Sequence, residues 1–100
     1  MIIRLDQNYR CEKVAINEDY ELTVEPVWAS EIEEYGYDDG TPAEYDIIIS
    51  DTFSDEDPTT MTIGSYSHGE KQELIVGDDE IVTIFYITLM DKNKIKIEVE

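Results

Sequence analysis

Residues 95–100 read Ile-Lys-Ile-Glu-Val-Glu, a strict alternation of apolar and charged side chains. Successive side chains of a β-strand point to opposite faces of the sheet, so this stretch has one dry and one wet side only when extended. A helix would scatter the same residues around its axis. Residues 20–24 repeat the pattern, with Tyr20, Leu22 and Val24 facing one way and Glu21, Thr23 and Glu25 the other. Two runs go further and are apolar on both faces. Ile47-Ile48-Ile49 belongs near the middle of a sheet, and residues 81–90 read as the best-buried strand: Ile81, Thr83, Phe85, Ile87 and Leu89 share one face, Val82, Ile84, Tyr86, Thr88 and Met90 the other.

The remaining segments fit the same class. Residues 10–16 form a strand with Val14 and Ile16 on one face, followed by the turn Asn17-Glu18-Asp19. Pro26 cannot donate to a ladder, which marks an edge or a strand end. Ser30 and Glu33 have the spacing of a capping box, and Gly36 is placed to end a short helix over residues 30–36 with Ile32 and Tyr35 on its buried side. Residues 59–66 and 74–76 are further strands, and Asp91-Lys92-Asn93-Lys94 makes a hairpin into the last one. The β-branched residues Ile, Val and Thr number 28, against ten for Ala, Leu and Met together. Such side chains lose rotamer freedom in helices and pack well on pleated surfaces. About seven short strands with one short helix predict a mainly β chain, a single domain over residues 1–100 built as an antiparallel β-sandwich or small barrel. No helix is long enough to connect parallel strands.

Charge is the second constraint. There are 25 Asp or Glu against seven Lys or Arg, a formal charge of −18. Leu, Ile, Val and Phe nevertheless total 26 of 100 residues, above the roughly one-fifth below which a highly charged chain stays disordered. A folded domain this acidic cannot hold a nucleic-acid backbone directly or sit on an anionic membrane surface. Its expected partner is a basic protein.

Where the charge lies matters more than its sum. Residues 14–70 contain 16 acidic side chains and neither Lys nor Arg, so this block carries −16 of the −18. A surface built only for solubility would intersperse both signs. Tyrosines are threaded through the block, and Tyr is a rigid amphipathic anchor on which a partner's Arg can stack while it pairs with a carboxylate. The candidate partner-binding residues are Glu31, Glu33, Glu34, Tyr35, Tyr37, Asp38, Asp39, Glu44, Asp46, Asp55, Glu56 and Asp57. Carboxylates set along a surface can take the positions of phosphates. In composition the chain resembles the small acidic inhibitors that phages and mobile elements use against restriction or CRISPR nucleases, and the acidic immunity proteins that block basic toxins. That resemblance implies an inhibitor acting as a nucleic-acid mimic on the basic site of a nucleic-acid-binding enzyme. The lack of a catalytic motif makes the expected protein non-enzymatic, and the lack of a signal peptide or membrane span makes it an expected cytoplasmic one. Crowded carboxylates are also expected to hold protons more tightly than isolated ones.

The competing reading is a β-sandwich module that binds Ca²⁺ or serves in assembly. Asp38-Asp39, Asp55-Glu56-Asp57 and Asp78-Asp79-Glu80 are three acidic loops that a sandwich can gather at one end, although none has EF-hand spacing. Catalysis has less behind it. His68, the one histidine, sits beside Ser67 in a loop without the spatially oriented acid a triad needs, and zinc wants more His or Cys. Cys11 is the sole cysteine, read as a half-buried reduced thiol, so no intrachain disulfide forms and no cofactor is implied. The first residues lack the apolar run of a signal peptide, and no stretch approaches the ~18 apolar residues of a membrane span.

Overall fold

The computed structural model describes residues 1–33, 36–38, 40–52, 57–77 and 82–100. These residues form eight strands and one helical turn: β1 (Ile2–Arg4), β2 (Cys11–Ala15), β3 (Tyr20–Val27), α1 (Ala29–Ile32), β4 (Glu44–Asp51), β5 (Thr59–Gly64), β6 (Lys71–Gly77), β7 (Val82–Asp91) and β8 (Lys94–Val99). A single 3₁₀ turn, Ser65–Ser67, leads from β5 toward β6. The strands make two antiparallel four-stranded sheets, ordered β1-β8-β7-β6 and β2-β3-β4-β5. The second sheet is a simple meander. The first takes its edge strand from the other end of the chain, with Ile3 paired to Ile95.

The two sheets close over one core. Leu22, Val24, Tyr45, Ile47, Ile49 and Ile63 face inward from the β2–β5 sheet, and Leu74, Phe85, Ile87, Leu89, Ile95 and Ile97 meet them from the other. Each fully buried side chain of this kind contributes about 1.5–3 kcal/mol. Tyr20 meets Phe85 edge to face across the interface at 5.2 Å, an arrangement that places a ring edge on the electron-rich face of its partner. Tyr45 is completely buried, and its hydroxyl donates to the Lys92 carbonyl at 2.6 Å. Burial pushes that hydroxyl up to about 12. Turn chemistry follows the sequence as well: Asn17 Oδ1 accepts from the amides of Asp19 and Tyr20 at 2.8 and 2.9 Å, bending the chain from β2 into β3.

Several expectations need correction. The described residues hold eight strands where about seven were expected, the addition being Ile2–Arg4, which also pairs. Residues 82–90 are not covered on both sides: Phe85, Ile87 and Leu89 are buried, whereas Val82 and Met90 are exposed. A two-layer sandwich leaves every sheet one outer face. Pro26 is not at a sheet edge, but it does mark a strand end: it is the last residue but one of β3, two residues beyond the last β2 pair, Cys11 with Val24. The strand expected over residues 59–66 ends at Gly64. The helix is Ala29–Ile32 rather than residues 30–36, Glu33 is already extended, and Ile32 is 49% exposed. Tyr35, expected on the helix's buried side, lies outside the described residues.

Candidate functional site

Alternation in β3 and β4 sends Leu22, Val24, Tyr45, Ile47 and Ile49 into the core and Glu21, Glu25, Glu44 and Asp46 to the outer face. The register then sets Glu25 directly opposite Asp46, with Thr62 of β5 completing the row, and sets Val27 opposite Glu44 in the next. Directly opposed side chains of neighbouring strands stand about 5 Å apart at Cβ, where like charges destabilise. The Thr62 hydroxyl donates to Asp46 Oδ1 at 2.8 Å. No Lys or Arg occurs in β3, α1, β4 or β5.

The other sheet is built differently. Lys71, Lys94 and Lys96 alternate with its inward side chains and so share the outer face with Glu73 and Glu98. Lys71 and Lys96 pair with Glu98 at 3.2 and 2.9 Å, and hydrogen bonds from Lys96 and Lys71 hold that carboxyl below its usual range. The Lys71 ammonium also lies 5.4 Å from the Tyr86 ring centroid. The Tyr86 hydroxyl is pushed up by its hydrogen bond to the Glu100 carboxylate. The two outer faces therefore differ in kind: one mixes signs, the other carries four carboxylates on its two inner strands and no cation there.

Lys13, the one cation on a strand of the acidic sheet, sits at its β2 edge. Between Cys11 and Val14 the register shifts, Lys13 takes a left-handed φ of 46°, and its amide donates to Thr23 Oγ1 at 3.2 Å. A bulge of this kind interrupts the edge ladder and discourages strand addition. Cys11 beside it is half-buried, and burial pushes its thiol up.

At the end of the acidic sheet where β4 begins, α1 and the segment after it form a cleft of about 450 Å³ lined by Ala29, Ile32, Glu33, Gly36, Tyr37, Ala43 and Glu44. The expected capping box on Ser30 and Glu33 does not form. Trp28 precedes the turn instead, its amide donating to Glu31 Oε2 at 2.8 Å. Ser30 lies inside α1, and its amide and hydroxyl both donate to the Asp38 carboxylate, at 3.1 and 2.7 Å. Those bonds, led by the hydroxyl, hold Asp38 below the usual carboxylate range. Asp38 and Glu98 thus run opposite to the upward shift expected of crowded acids, because each is met by donors. Tyr9, itself in a left-handed turn at φ 62°, braces this end: its hydroxyl donates to the Gly40 carbonyl at 2.9 Å and its ring meets Trp28 edge-on at 5.8 Å.

The predicted binding residues divide accordingly. Glu33, Tyr37 and Glu44 line one cleft, and Asp46 stands on the adjoining outer face. Glu31 and Asp38 are close by, with carboxylates that accept from the amides of Trp28, just before α1, and Ser30, within it. Asp57 is elsewhere. It lines a hollow of about 220 Å³ with Tyr20, Asp51, Thr59 and Gly77, at the opposite end of β4, some 20 Å away by strand rise. Glu34, Tyr35, Asp39, Asp55 and Glu56 lie outside the described residues. Glu21 and Glu25 were not among the predicted residues although their alternation with Leu22 and Val24 had already set them on a wet face. Among the described residues no three His, Cys, Asp or Glu side chains gather as a metal site, and no helix is long and apolar enough to cross a membrane. The loop 78–80 and most of residues 55–57, which the Ca²⁺ reading invokes, fall outside the described residues. No protein-family model matches the chain, and neither a curated protein nor a solved structure matches it.

Proposed function

We propose that the outer face of β3 and β4, continued into the α1 cleft, is a protein-binding surface that occludes the basic nucleic-acid-binding site of a cytoplasmic partner. The protein acts without catalysis, as a nucleic-acid mimic. The observation that carries this reading is the Glu25–Asp46 row: two carboxylates held opposite one another on a face whose strands β3, β4 and β5 carry no cation. Like charges so placed weaken the free protein and gain value only when a cation arrives. Glu44 and Asp46, two residues apart on β4, repeat their charge at about 6.6 Å along the strand, which gives a basic groove a row of fixed anions to pair with. The sheet holds them in place before contact, so little ordering is lost on binding.

Affinity capture with the full chain tests this, using the quadruple variant E21Q/E25Q/E44Q/D46N as the control. The expected partner is basic, is retained by the native face and not by the variant, and is released by competing duplex DNA. Recovery of only neutral or acidic partners, or equal retention by the variant, overturns the proposal.

A further inference from the structure

We infer that the cleft between α1 and the start of β4 receives an arginine side chain of the cationic partner, an inference that rests on the acidic-surface reading above. Part of its lining is small and apolar. Ala29 and Ala43 stop at Cβ, and Gly36 packs so closely that an added Cβ would stand 2.1 Å from the Ala29 carbonyl oxygen. Ile32 adds a half-exposed aliphatic side chain. Tyr37 lines both this cleft and an adjoining hollow with Pro42 and Ser65, and at 86% exposure it is the most exposed large apolar side chain among the described residues.

Two carboxylates of the lining supply the charge. Glu33 and Glu44 line the same cleft, and the ion pairs among the described residues both involve Glu98 of the other sheet rather than either of them. Their neighbours Glu31 and Asp38 already accept from Trp28 and Ser30. Small apolar lining residues, an exposed ring and two carboxylates are complementary to one side chain in particular. Arginine lays its methylene stem on apolar surface, stacks its weakly hydrated planar head on an aromatic ring, and offers paired donors to carboxylates. Lysine, a compact and strongly hydrated point charge, can lie over a ring, as Lys71 does over Tyr86, but has neither a plane to stack on it nor paired donors for two carboxylates. The volume of about 450 Å³ falls within the range of ligand-sized hollows.

Titration of the ¹⁵N-labelled full chain with capped tetra-arginine and tetra-lysine peptides tests the assignment. The arginine peptide is expected to shift the amides of Ala29, Ile32, Gly36, Tyr37 and Ala43 and to bind more tightly than the lysine peptide. Tyr37→Ala, at a side chain outside the core, should weaken arginine binding about fivefold and remove the preference, whereas Tyr37→Phe should keep it. Equal affinity for the two peptides, with shifts confined to Glu21, Glu25 and Asp46, overturns the arginine cleft and leaves the acidic face standing. No shift with either peptide overturns both.

Discussion

Glu25 on β3 stands directly opposite Asp46 on β4, like charge against like charge across two inner strands. Substituting Glu25→Lys converts that repulsion into a cross-strand ion pair. A gain of about 0.5–1 kcal/mol is expected, raising the thermal midpoint by about 2–8 °C for a domain of this size. The gain should shrink in high salt, which screens the native repulsion. A melting series at two ionic strengths reads both effects, and the same substitution should slow partner association.

Asp38→Ala should loosen the α1 segment without unfolding the sandwich, since the carboxylate tethers Ser30 from outside the core. Hydrogen exchange of the Ser30 amide is the readout, with faster exchange expected there and little change in β7. The pH dependence has a definite sign. A carboxyl whose folded pKa is depressed contributes stability above its unfolded value and loses it as pH falls through the folded one. Acidification should therefore release the Ser30 tether below the ordinary range of an aspartate.

Tyr45→Phe removes a buried hydroxyl that donates to Lys92 at 2.6 Å. The expected loss is about 0.5–1.5 kcal/mol, visible as a lower urea midpoint. In alkaline titration Tyr45 should ionise only at about 12. Because that value is raised on folding, its contribution is complete below about pH 10 and fades as pH climbs toward 12. The phenylalanine variant should lack this part of the alkaline destabilisation.

Millimolar Ca²⁺ separates the two readings of the acidic loops. A ligand bound only by the native state raises the midpoint by mass action, whereas screening acts for any salt. The midpoint is expected to rise no further with CaCl₂ than with MgCl₂ of equal ionic strength. A selective rise with Ca²⁺ would favour the metal-binding module instead.

Much of the fold was legible because a sheet writes its period directly into the chain. Residues 95–99 and 20–24 alternate, and both lie in strands with Ile95, Ile97, Leu22 and Val24 buried, although Val99, expected on the same dry side, is exposed. Ile47-Ile48-Ile49 indicated an inner strand, and β4 is one. β1 escaped notice because three residues show no period and their partner lies at the other end of the chain. The outer exposure of Val82 and Met90 was hidden for a related reason: apolar residues on both sides of a strand do not reveal how many layers cover it. At the candidate site, Tyr37 and Glu44 were legible from composition. The separation of Asp57 from them was not, since it depends on strand direction and order. Nor could spacing reveal that Glu31 and Asp38 would be taken up by backbone and hydroxyl donors near them.

The pairing of Ile2–Arg4 with β8 bears on how the molecule is made. The β2–β5 meander can assemble as it leaves the ribosome, each strand meeting the one before it. β1 emerges first and has no hydrogen-bonding partner until Lys94, Ile95 and Lys96 have been synthesised, so its ladder is the contact of longest sequence separation and the slowest kind to form. Until then Ile2 and Ile3 stay unpaired, and that sheet is completed only after every strand of the β2–β5 meander has been made.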